Sequence, residues 1–283
     1  DVYKRQLLGN TSPDADAVYI ELTNINLDRQ DMNAAVGVYN GKITLGKDVA
    51  LSGQDGNMIL ANGEKAALEL GDGCELSYAA GSSPCCASAW FGAILVLNGG
   101  KTAAGAYIGL DCNFYPAVSY PLISVPKALT GDVHLLLKMI GTTPVAQGIG
   151  NYQLTQADCD RLKVNPESTV SLYMGQRDKY DGNFELHLDP AASFQIKLRP
   201  KNFTPPTSGN IDVTNMTDVV AQITIRAALE AGHTDLKLTG ELSKIGIGGQ
   251  WGTFANNTQI TTCDLTEVTG WGTTVSYTHL RAH

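Results

Sequence analysis

The chain has 283 residues, a formal net charge of −8, 17% charged residues and 30 glycines. That acidity argues against a nucleic-acid partner, which needs clustered Lys and Arg, and no apolar stretch approaches the roughly 20 residues that span a bilayer. The six cysteines, Cys74, Cys85, Cys86, Cys112, Cys159 and Cys263, contain no C-x-x-C pair, so a zinc site is not expected. Free buried thiols and a disulfide framework both remain open readings.

The two ends differ from the chain between them. DVYKRQ at Asp1–Gln6 back-translates to the mosaic end of a transposase adapter used in DNA libraries. VSYTHLRAH at Val275–His283 is one reading frame of that adapter's reverse complement. Both ends resemble translated adapter, so residues 1–6 and 274–283 are set aside as artefact, expected to be loosely packed, and residues 7–273 are read as a fragment.

From residue 7 to 200 the pattern alternates with period two. Strands are predicted at Lys42–Gly46, Ala66–Leu70, Ala93–Leu97, Val133–Met139, Phe184–Leu188 and Phe194–Leu198. Turn signals such as QDGN, GDG, NGG and YDGN lie between them. Short strands at this spacing, without helical periodicity between them, predict a mainly β fold: an antiparallel, jelly-roll-like β-sandwich. A proline-rich stretch at residues 201–210 reads as a linker. Beyond it, Met216–Gly232 carries helical spacing, with Thr217 as N-cap and Gly232 as the stop, followed by a strand at Asp235–Leu242.

Two resemblances attach to these segments. NMTDVVAQITIRAALEAGHTDLKLTGEL with TFANNTQITTCDLTEVTGWGT resembles the entry to a BspA-like bacterial surface leucine-rich repeat array. This implies a helix-led, truncated repeat cap over residues 211–273, in a secreted or cell-surface protein whose repeats bind a host or matrix protein. Earlier, DGNMILANGEKAALEL, AWFGAILVLNGGKTAAGAYIGL, YPLISVPKALTGDVHLLLKM and GIGNYQLT occur in the order expected of family 6 carbohydrate-binding modules. That resemblance spans residues 41–155 and implies a glycan-binding sandwich. Asn151 falls where the family has its sugar-binding asparagine. The family's loop tryptophan is replaced by Ala117, and the acidic residue of its closing phrase by Gln153, which speaks against the family's structural calcium; no cofactor is expected.

Sugar recognition needs an aromatic face and planar polar groups. The expected carbohydrate site is therefore Phe114, Tyr115 and Tyr120 with Asn151. Trp90 beside Phe91, at a strand start, reads as core. Glu185, His187 and Asp189 share one strand face; such a row can hold a metal or act as acid and base, but an outward polar row is the ordinary state of a half-exposed strand. Motifs for nucleophilic, zinc-dependent or phosphate-binding catalysis are missing. The function expected is non-catalytic glycan binding; the alternative is a structural or adhesive protein acting through its repeats.

Overall fold

The computed structural model describes residues 8–29, 35–53, 58–79, 85–111, 121–140, 144–171, 178–190, 193–246, 253–254 and 258–270. The adapter-like ends lie outside them. Strands form at Gly41–Leu45, Ala66–Leu70, Ile94–Leu97, Val133–Ile140, Phe184–Asp189 and Gln195–Pro200, close to where alternation predicts them.

Their pairing is another matter. Between Leu8 and Gly148 consecutive described strands do not pair as hairpins; the chain winds as a parallel β-solenoid of about seven turns. One wall stacks Leu8–Gly9, Val36–Val38, Ile59–Asn62, Cys85–Trp90, Tyr107–Asp111 and Val133–Ile140, each parallel to the next. A second wall stacks Val18–Leu22, Gly41–Leu45, Ala66–Leu70, Ile94–Leu97, Ile123–Val125 and Ala146–Gly148. A third, shorter wall pairs Ile25–Arg29, Val49–Gly53 and Glu75–Ala79. This overturns the expected antiparallel jelly-roll sandwich. Alternation reports that one face of a strand is buried; it does not report which strand lies alongside.

Stacking in register places like side chains above one another. Ile20, Ile43, Leu68, Leu95 and Ile123 form one inward ladder, and Leu22, Leu45, Leu70 and Leu97 a second. On the first wall, Val36, Ile59, Ala87, Ile108 and Leu135 do the same. Ile43, Leu68, Leu95, Ile123, Ile59 and Ile108 are all 0% exposed. Burying each such side chain contributes about 1.5–3 kcal/mol. The turn signals serve as corners: Asn24, Asp48, Gly73 and Gly99 all take a left-handed φ where successive turns leave the second wall.

The far end is closed by different means. Phe184–Asp189 and Gln195–Pro200 form an antiparallel hairpin, joined to the second wall through Ala146 and Ile196. The helix Gln156–Arg161 is set by Asp158, only 2% exposed, whose carboxylate accepts from Leu129 N–H (2.9 Å), Tyr152 O–H (2.6 Å) and Thr155 N–H (2.8 Å). Burial pushes this carboxyl up, but those donors outweigh it and hold it below the ordinary range. Burial, then donation to Asp158, raises the Tyr152 phenol to about 12.

Beyond the hairpin, Phe203 packs against the solenoid core and His233 Nε2 lies 3.2 Å from Pro206 O. The predicted helix is present as Asp218–Glu230, capped by Thr217, whose hydroxyl accepts from Val220 N–H. Val219 and Ile223 join the solenoid core. Ala221, Ile225, Ala228 and Leu229 instead join a second core, built with the parallel sheet Asn210–Asp212, Asp235–Glu241 and Thr262–Thr269. One helix thus serves two cores.

Two outcomes test this fold. Leu68→Ala, at the centre of a ladder, should cost about 2–5 kcal/mol in urea unfolding, whereas the 76% exposed Tyr19→Ala should cost little. Equal costs would contradict the stacking. The second concerns pH. A lowered Asp158 pKa means its contribution is complete above its ordinary value of 3.8 and is lost as pH falls through the lower folded value. For Tyr152, the contribution is complete below 10.0 and lost as pH rises through about 12. Asp158→Asn should cost about 1–3 kcal/mol near neutrality, with the gap to wild type closing in acid. A gap constant down to strong acid would refute this role.

Candidate functional site on the outer face of the first wall

Register that stacks the core also stacks whatever points outward. On the first wall the outward positions include a row of Asn62, Trp90, Asp111, Lys138 and Thr169 on successive parallel strands. Trp90, expected in the core, is instead half-buried on this face. Its inward neighbour Ala89 takes the core place, because alternation from the buried Ala87 leaves Trp90 outside. Lys138 Nζ lies 3.6 Å from Asp111 Oδ2 and 5.9 Å from the centre of the Trp90 ring. The row's two charges therefore neutralise each other beside the indole.

The backbone carries strain at the same place. Phe91 holds φ at +52°, with its ring edge-on to Trp90 at 6.0 Å. In the preceding turn the residue after Asn62 is Gly63, also at positive φ. A bulky side chain at a corner that glycine fills one turn earlier costs of order 1–3 kcal/mol. Strain of this kind collects at functional positions.

Nearer the start of these strands, Tyr107 and His134 stack edge-to-face at 5.6 Å on neighbouring strands. The Thr102 hydroxyl accepts from His134 N–H at 2.9 Å and lies 2.8 Å from Nδ1. Between these residues and the tryptophan row, Cys85 fills the space over Gly109: a Cβ there would lie 2.6 Å from its sulfur. The bulge between Cys85 and Ala87 places it so. Buried at 6% exposure, with its thiol pKa raised by that burial, Cys85 acts as filler.

Of the site read from sequence, Phe114, Tyr115 and Tyr120 lie outside the described residues, as does Ala117. Asn151 is exposed, in the turn after Ala146–Gly148 on the second wall. It stands at the opposite end of that wall's strands from Pro121, where the described chain resumes. The Glu185, His187 and Asp189 row is taken up in cross-strand pairs: Arg199 Nε reaches Glu185 at 2.6 Å and Lys197 reaches Asp189 at 3.2 Å. Burial, then Arg199, lowers the His187 pKa. Among the described residues, no group of three or more His, Cys, Asp or Glu side chains is placed to hold a metal ion. No helix there is long and apolar enough to cross a membrane.

Two other polar places differ from the tryptophan row. On the second wall, Glu69 accepts from Lys42 (2.5 Å) and Asn98 (2.9 Å), hydrogen bonds that overcome burial and lower its pKa. Its acceptors are thereby occupied. A cavity of about 460 Å³ beside the closing hairpin is lined by Phe184, Met216 and Val220, with Lys179 and Lys201 at its edge; Lys179 is held by Glu167 at 3.2 Å. The first has no aromatic neighbour among these partners; in the second, Asn183 and Asn215 stand beside Phe184, but that ring is only 1% exposed and offers no open face. Sequence reasoning missed the row because Asn62, Trp90, Asp111 and Lys138 lie 21 to 28 positions apart; the signal was a recurring turn length, which alternation does not expose.

Comparison of the chain with protein-family models, with curated proteins and with solved structures finds no match in any of the three. The resemblances to family 6 carbohydrate-binding modules and to BspA-like repeats gain no support from them.

Proposed function

We propose that this protein binds a glycan without catalysing its cleavage, through the outer face of the first wall, as part of a secreted or cell-surface protein. The observation that carries the reading is Trp90, half-buried on an outward row between Asn62 and Asp111. An indole held by its neighbours offers the apolar face that the C–H side of a sugar ring needs. The planar amide of Asn62 and the planar carboxylate of Asp111, with the ammonium of Lys138 beside it, supply acceptors and donors for hydroxyls. Displacing Lys138 from above the ring forfeits only about 0.5–1 kcal/mol at an exposed site.

The alternative is an adhesive protein that binds a protein partner through its C-terminal sheet. It is favoured by the exposed polar strand Thr262–Thr269, where Glu267 pairs with Lys237 at 2.6 Å. A glycan array probed with the full chain separates the two. Trp90→Ala should weaken binding by about 1–3 kcal/mol, roughly five- to a hundredfold, with an unchanged circular dichroism spectrum. No glycan bound at millimolar concentration, or binding indifferent to Trp90→Ala, would leave the adhesive reading in its place.

A further inference from the structure

We infer that the ligand is a linear, uncharged glycan lying along the solenoid axis, across the strands, in contact with about three consecutive sugar residues. This rests on the glycan-binding reading and adds to it the chemistry and direction of the chain bound.

Direction follows from register. Asn62, Trp90, Asp111 and Lys138 sit on four successive parallel strands and share one outward row. Parallel strands are spaced about 4.8 Å apart, so these four residues span about 14 Å along the axis, the length of about three linked pyranose rings. A ligand running along a single strand would meet Trp90 and then the buried Ser88, whose hydroxyl lies 3.1 Å from Cys85 sulfur. Only the axial direction meets a fresh polar or aromatic group on every strand.

Charge decides the class. The row's anion and cation lie 3.6 Å apart, and the Asp111 side chain is only 12% exposed. Uronate or sulfate groups would have to compete with Asp111 for Lys138, against a chain of net charge −8. Hydroxyl groups carry no charge with which to compete for that pair.

The test is calorimetric titration of the full chain with glucose oligomers of increasing length, β-1,4- and α-1,4-linked, and with galacturonate oligomers of the same lengths. Affinity for one neutral series should rise with each sugar up to about three and then level off. Raising sodium chloride from low to high concentration should change it less than about twofold, because no net charge is exchanged. Trp90→Ala and Asn62→Ala, each checked for an unchanged melting temperature, should each lower it at least about fivefold. Preference for galacturonate with a steep salt dependence overturns the uncharged class. Affinity that is already full with a single sugar overturns the axial direction, and both results leave glycan binding itself standing. Failure of every oligomer at millimolar concentration removes the underlying reading and this inference together.

Discussion

In-register stacking of aliphatic side chains along the axis is the constraint on which the rest of this structure depends. Each strand is short, and a three-residue strand such as Ile123–Val125 buries too little to persist by itself. Its Ile123 gains a partner above and below, in Leu95 and Ala146, and so does every rung between the ends. Backbone hydrogen bonds and apolar contacts run in the same direction. A shift of one residue in any turn would send its inward set to the surface and break both.

Stacking of this kind needs termination, because the last turn presents unpaired backbone and an uncovered core. The hairpin Phe184–Pro200 reverses strand direction and ends the parallel series, and Val219 and Ile223 of the helix Asp218–Glu230 add apolar cover. Asp158 ties Leu129, Tyr152 and Thr155 together where the coil gives way to the short helix Gln156–Arg161. The C-terminal sheet is coupled to this closure through the other face of the long helix.

Much of the local structure was legible in the sequence, and the fold was not. The alternation of Ala66–Leu70 and Val133–Ile140 reports which residues face inward, and Thr217 and Gly232 bracket the helix. NGG and GDG report turns; whether a turn reverses a strand or carries it round a corner is decided by what the flanking strands pair with. Leu45, Leu70 and Leu97 do recur at nearly even intervals, but their turns differ by a few residues, which hides the repeat from a search at fixed period. The same blindness affected the site. Trp90 looked like core because its neighbours in sequence are apolar; its neighbours in space, Asn62 and Asp111, give it an outward polar row.

A face organised by register inherits the precision of the core behind it, which is why both the site and the fold stand on the parallel stacking. Lys42 and Ala67 face outward, directly opposite each other on adjacent strands of the second wall. Parallel neighbours lie about 4.8 Å apart, within the Cα separation a disulfide accepts. Mild oxidation of the double variant Lys42→Cys, Ala67→Cys, with mass spectrometry of the digested protein, therefore reads the stacking directly. The account predicts a peptide pair linked between these two positions, and a melting temperature raised by the link. No link between them, or links only to native cysteines, would contradict the solenoid.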